Sequence, residues 1–444
     1  MKPDTIEQKK ESPLKSIIRS LHHRNFRLFF GGQTISLIGT WMQRIALGWL
    51  VYRMTNSALL LGIVGFAGQI PTFFFASFAG VLADRLNRHR ILILTQSLAM
   101  VQAFALSFLV LSHQIKIWHI VVLAIFLAIV NAFDMPTRQA FLVEMVEDKK
   151  NLGNAIALNS SMVNCARLLG PTAAGLLIAA FGEGTCFLIN AITYMAVIIS
   201  LLLMKIGRKK IEPRTAKVWH ELKEGFRYAA GFAPIRDILL IFALVNLVGM
   251  PYMVLIPVFA KDVLHGGPSA LGFLMGCSGL GALGGAVFLA SRKTVLGLGK
   301  MIPIAATIFG SALIVFSFSR ILLFSLPLML LTGSGQMILM ATSNTLLQTL
   351  VDDDKRGRVM SFYTMAFMGA TPIGSLTAGF LASKIGAPWT VFIGGIICIC
   401  GAVFFAKRLP ILRELVRPIY VKMGIIPEIA MGIQSASELS MQRK

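Results

Sequence analysis

Gly80-Val81-Leu82-Ala83-Asp84-Arg85-Leu86-Asn87-Arg88-His89-Arg90 is a short basic interruption between two apolar runs, residues 58–82 and 91–112. A helix needs about 20 residues to cross hydrocarbon, and each run supplies them. The stretch therefore reads as a loop joining two membrane spans, with one acid, Asp84, among Arg85, Arg88 and Arg90.

Working outward, runs of the same size recur at 28–52, 117–137, 155–181, 185–204, 236–259, 268–290, 301–318, 321–349, 359–382 and 388–406, which makes twelve. They are too long, and too little alternating, for the strands of a membrane β-barrel. The composition agrees. Of the 444 residues 56% are hydrophobic and 14% charged, and mean hydropathy is +0.74. An ordinary soluble domain is about 25% charged, so soluble enzymes, disordered chains and disulfide scaffolds are excluded. The expected fold class is an all-α polytopic membrane protein.

The net charge of +22 would suggest nucleic acid in a soluble chain. Here the basic residues mark loops. With the N-terminus inside, 35 Lys and Arg fall on inside segments and five (Arg53, Lys116, Lys261, Arg320 and Lys384) on outside ones. The positive-inside rule then places both termini in the cytoplasm, and no nucleic-acid partner is expected. The basic, polar N-terminus lacks a short apolar core with a cleavage site, so no removable signal is expected. Cys165, Cys186, Cys277, Cys398 and Cys400 lie in apolar stretches without a CxxC pair and read as core residues. No P-loop or HExxH spacing occurs, so neither direct ATP use nor a metal centre is expected.

The spacing divides the chain into a cytoplasmic N-terminus (1–27), a first set of six spans (28–204), a cytoplasmic linker (205–235), a second set (236–406) and a cytoplasmic tail (407–444). In the linker Val218, Trp219, Leu222 and Phe226 form one apolar helical face, as in a surface helix. The tail is expected to be broken by Pro410, Pro418 and Pro427. An internal repeat relates the two sets. Met145-Val146-Glu147-Asp148-Lys149-Lys150 after the fourth span echoes Leu350-Val351-Asp352-Asp353-Asp354-Lys355-Arg356 after the tenth, and Leu82-Ala83-Asp84-Arg85 echoes Leu289-Ala290-Ser291-Arg292. Repeats related by an axis along the membrane normal are one transporter plan.

The loop quoted first resembles the signature G-x-L-A-D-R-x-G-R-(R/K) between helices 2 and 3 of the major facilitator superfamily, with Asn87 in place of the second glycine. Asn131-Ala132-Phe133-Asp134-Met135-Pro136-Thr137-Arg138, Asp353-Asp354-Lys355-Arg356-Gly357-Arg358 and Gly39-Thr40-Trp41-Met42-Gln43 are similar to the subfamily of bacterial enterobactin exporters and related efflux proteins, over about residues 20–408. The resemblance implies two pseudo-symmetric six-helix halves, an inner-membrane location and export.

Candidate residues follow. Gly80 is expected to allow close helix contact, and Asp84 with Arg85, Arg88 and Arg90 to latch the cytoplasmic side. Asn87 is expected to take a left-handed turn. Asp134 and Arg138 share a helix face with Asn131 and can pair, for gating or for proton or substrate contact. Gly170-Pro171 with Gly175 resembles an antiporter motif in which Ala174 replaces a glycine; a bend and close packing are expected there. Ser36, Thr40, Arg44, Asn164 and Arg167 are the candidates for a polar cavity in the first set of spans, and Asn246, Gln336, Asn344 and Gln348 in the second. With almost no mid-membrane acid in the second set, that cavity is neutral or cationic and favours an anionic or amphipathic substrate.

The expectation is a monomeric, proton-coupled secondary exporter that works by alternating access on a small molecule within the lipid bilayer and uses the proton gradient instead of a cofactor. A lipid flippase is the alternative within transport. A membrane-embedded enzyme or assembly factor would need a catalytic dyad or metal set at one depth, and the sequence offers none.

Overall fold

The computed structural model describes residues 19–146, 151–205, 226–292 and 294–425. The described residues contain no strand. The helices are α1 (Arg24–Thr55), α2 (Ala58–Ala67), α3 (Ile70–Arg85), α4 (Arg88–Leu111), α5 (Ile117–Met145), α6 (Leu152–Phe181) and α7 (Glu183–Leu202). They continue with α8 (Ala233–Val248), α9 (Tyr252–Val258), α10 (Gly267–Ala290), α11 (Leu298–Phe318), α12 (Leu322–Leu350), α13 (Asp353–Ile385) and α14 (Ala387–Lys422). Eleven described stretches are long and apolar enough to cross a membrane. The twelfth span is α1, long enough at 32 residues but made more polar by Gln33, Ser36, Gln43 and Arg44.

Two of the expected spans are interrupted. The second is α2 and α3, parted at Gly68 and Gln69, with Pro71 in the first turn of α3. The seventh is α8 and α9, parted at Gly249-Met250-Pro251, followed by a π-helical turn Phe259–Val263. Proline lacks an N–H and cannot continue the ladder behind it.

Two local expectations are corrected. Asn87 has φ −69° and ψ 106°, an extended conformation, and its side chain accepts from the Arg90 backbone N–H at 3.2 Å. It is the N-cap of α4, for which asparagine is among the best residues. The final helix does not break at Pro410 or Pro418 but runs to Lys422. Leu412 and Val416 are buried there, and burial of an apolar stripe offsets the roughly 3 kcal/mol that an interior proline costs.

The chain forms two compact units, residues 1–214 with 256–279, and residues 215–255 with 280–444. In the first, Phe26, Phe29, Leu92, Phe141, Leu142 and Leu201 form an apolar cluster from α1, α4, α5 and α7. Helices in lipid gain no hydrophobic drive toward one another, so close approach at small residues supplies the packing. Gly32 faces Ser200 Cβ with 3.0 Å to an added Cβ, and Gly170 faces Trp41 Cβ at 2.5 Å and Ile38 O at 2.9 Å. The second unit packs α11 on α12 and α14; Gly310 and Gly395 cross there, each with the other's carbonyl 2.7 Å from its would-be Cβ. Of the linker, residues 226–231 are described as helical. Val218, Trp219 and Leu222 lie outside the described residues, as does the tail from 426 on.

Candidate functional site

In the first unit the sequence candidates converge on one tryptophan. Gly170 has no side chain, so α6 lies directly against α1 at Trp41. Arg167 is three residues before it on α6, and Arg44 three residues after Trp41 on α1. The Arg44 guanidinium carbon sits 4.8 Å from the centre of the Trp41 ring, and that of Arg167 sits 5.9 Å from it. Two cations share one indole, a contact worth about 0.5–2 kcal/mol each depending on solvation. Arg44 is exposed and, among the described residues, forms no ion pair with a carboxylate. Arg167 and Asn164 are half-buried on α6, and Asn164 Nδ2 donates to Ser160 O at 2.9 Å.

Ser36 and Thr40 are placed differently. Ser36 is 1% exposed and packed inside the unit, and its carbonyl accepts from Thr40 Oγ1 at 2.9 Å. The Thr40 hydroxyl also lies 3.4 Å from Tyr194 Oη on α7. Behind them runs a buried polar chain that the sequence reading did not single out. Asn190 Nδ2 donates to Gln43 Oε1 at 2.7 Å, and Gln43 Nε2 donates to Gln102 Oε1 at 3.0 Å. Amides buried in pairs satisfy one another's donors and fix the facing of α1, α4 and α7. Their period on α1 put Gln43 beside Arg44, but only a partner 147 residues away reveals which neighbour it needs.

Asp134 and Arg138 do pair, Nε to Oδ2 at 3.7 Å. Asp134 is 5% exposed, and its Oδ1 also accepts from Thr95 Oγ1 at 2.9 Å and Gln96 Nε2 at 2.7 Å. The carboxylate is thus held by one cation and two neutral donors, as a buried charge requires. Asn131 is half-buried one turn earlier on α5.

At the loop quoted first, Arg88 Nη1 meets Glu144 Oε1 of α5 at 2.6 Å, and Arg90 is exposed. The side chains of Asp84 and Arg85 lie outside what is described. Among the described residues no atom lies within 4 Å of a Cβ added at Gly80. Gly175 makes a close contact: its would-be Cβ is 2.7 Å from both Gly272 Cα and Pro268 O of α10. Pro171 is internal to α6, and Gly272's would-be Cβ lies 2.9 Å from its carbonyl. The opposite end of α1 carries Arg53, paired with Glu183 at 2.6 Å, and Tyr52, whose hydroxyl donates to Asp262.

In the second unit the candidates separate. Asn246 is 4% exposed and donates to Phe242 O at 2.7 Å. Gln336 Nε2 lies 2.6 Å from Met250 Sδ at the break between α8 and α9. Gln348 donates to Asn344 Oδ1 at 2.5 Å, and both line a recess near the end of α12 with Arg356. Arg236 and Arg408 clamp the buried Asp237 at 3.2 and 2.9 Å, joining α8 to the extension of α14. That acid was not among the sequence candidates, because it reads there as the polar edge of a span.

The profile of one family, described as transmembrane secretion effector, matches residues 15–418. Among curated proteins, the Staphyloferrin A transporter of Staphylococcus aureus is 29% identical over 385 residues, covering 86% of this chain and 96% of the relative. The multidrug efflux pump Tap of Mycolicibacterium fortuitum is 26% identical, covering 84% and 92%. Among solved structures, a bacterial homologue of the iron transporter ferroportin in an inward-facing state aligns with TM-score 0.67 at 19% identity, covering 90% of this chain and all of that one. A peptide transporter aligns with TM-score 0.71 at 12% identity, covering 88% and 95%. At those identities the structures speak for the fold, which is that of the major facilitator transporters.

Proposed function

Because the chain belongs to the family of transmembrane secretion effectors, and is thereby a multi-pass membrane transporter, we propose that it exports a small amphipathic or anionic molecule, siderophore- or drug-like, by alternating access. The single observation that carries this reading is the pair of guanidiniums on Trp41, at 4.8 and 5.9 Å. An anion with an apolar body can meet the cations at this ring while covering the indole. The relatives named for staphyloferrin A and for multidrug efflux support the class.

In this reading the energy comes from proton entry. Asp134 with Arg138 sets the gate, and the Asp84 loop latches the cytoplasmic side. In this reading the protein works as a monomer in a bacterial inner membrane, and the 35-to-5 basic asymmetry of its loops supports both termini in the cytoplasm. Purified protein in proteoliposomes, given an imposed pH gradient and matched anionic, neutral and cationic amphiphiles, tests it. Gradient-driven movement of the anionic probe is the expected result. Movement indifferent to the gradient, or preference for the cation, overturns the reading.

A further inference from the structure

The second unit holds a cavity of about 420 Å³ beside the end of α12, lined by Leu346 and Leu350 but not by their chain neighbours Asn344 and Gln348. Its wall is apolar: Leu346 and Leu350 at the end of α12, and Phe405, Leu412 and Val416 on α14. None of Asn246, Gln336 or Asn344 lines it. Its size falls in the range of ligand sites, about 300–1,000 Å³. Lys300 at the start of α11, with Arg413 and Arg417 on α14, also lines it. All three are exposed, and among the described residues none of them forms an ion pair. An apolar chamber rimmed by three cations asks for an amphipathic anion.

We propose that the cavity holds an acyl chain of an anionic phospholipid, with its phosphate among Lys300, Arg413 and Arg417. Three observations select a lipid. The walls come from the ends of α8, α12 and α14, the level at which headgroups meet a spanning bundle. The α14 extension carries apolar side chains on its other side too, Ile411 58% and Leu415 43% exposed, interleaved with Arg413 and Arg417. Such a pattern belongs to helices lying in the interface. And Arg408 pins the start of that extension to Asp237 at 2.9 Å, so the cationic rim is held over the cavity. The lipid would clamp α14 to α12 and make the second unit sensitive to headgroup charge.

The test uses the full-length protein in nanodiscs with phosphatidylglycerol carrying a diazirine in one acyl chain, then peptide mapping of the photo-adducts. Adducts on residues 405–420 and 296–300 are expected. Phosphatidylcholine with the same chains should label these peptides at least about tenfold less, since each juxtamembrane cation adds appreciable affinity for an anionic surface. The double variant Arg413→Gln/Arg417→Gln should lose labelling by a similar factor. So should Gly299→Leu, whose Cβ meets only Leu409 Cδ1 at 3.4 Å and whose bulk fills the cavity. Equal labelling by the two lipids, or adducts confined to other helices, overturns the proposal. So does competition by glycerol phosphate as strong as that by the whole lipid, which would make the site one for a soluble anion. So does a chain cut after residue 425 that gains labelling the full chain lacks, which would make residues 426–444 the occupant. The wild-type map decides the matter even if a variant fails to fold, and transport is not part of the readout.

Discussion

Replacing Gly175 by alanine separates a packing contact from a moving one. In this structure an added Cβ would lie 2.7 Å from Gly272 Cα, 2.7 Å from Pro268 O and 3.0 Å from Gly272 N. All three are backbone atoms, so no side chain can rotate out of the way. Ordinary contact begins near 3.4 Å, so α6 and the first turns of α10 must part by roughly 0.7 Å, and overpacking of this kind costs about 1–3 kcal/mol. If the crossing exists in only one state of the transport cycle, that energy shifts the balance between states about 5–150-fold. Gly272→Ala meets Gly175 Cα at 2.8 Å and Pro171 O at 2.9 Å and should act the same way. The double variant should cost less than the two added together, because one separation relieves both clashes. Thermal unfolding of purified protein, transport per folded molecule and labelling of engineered cysteines from each side together measure it. Unfolding little changed, with transport slowed and labelling redistributed, is the expected outcome. A lower melting temperature with unchanged transport per folded molecule would refute the moving contact and leave only packing.

Arg44→Gln or Arg167→Gln should weaken binding of anionic substrates by about tenfold, through loss of a charge-assisted contact, with little change in melting temperature; a marked drop in stability with unchanged affinity per folded molecule would make both arginines structural. For Asp134 and Arg138, each single neutralisation should harm stability or activity more than the double, with a coupling of about 0.5–3 kcal/mol in a double-mutant cycle, since Asp134 is buried and a lone charge would remain; additive losses would dismiss the pair. If Asp134 carries the transported proton, Asp134→Asn should abolish gradient-driven transport while substrate still binds, as isothermal calorimetry would show. Asp84→Asn should leave folding intact, at about 1–3 kcal/mol at most, yet raise cysteine accessibility from the cytoplasmic side; unchanged accessibility and full transport would remove the latch.

The sequence alone determined what repeats or stays local. Apolar runs of spanning length follow from the thickness of the bilayer, and the Asp134–Arg138 pair follows from helix geometry, which sets residues four apart on one face. The tertiary structure decided everything that depends on which helix lies beside which. Gln43 finds Asn190 across 147 positions, Arg167 reaches the ring that Arg44 already covers, and Gly175 meets Gly272. Ser36 shares a helix face with Arg44 by count, yet it is buried and Arg44 is exposed, because the angle at which α7 crosses α1 is set by Gly32 and Gly39 against Ser200 and Asn190. Pro410 and Pro418 read as breaks because proline removes an N–H, and the helix persists because Leu412 and Val416 are buried in the fold, which local sequence cannot show. Periodicity is a property of one helix, whereas partners are chosen by packing between helices, and that choice is written in no single stretch of the chain.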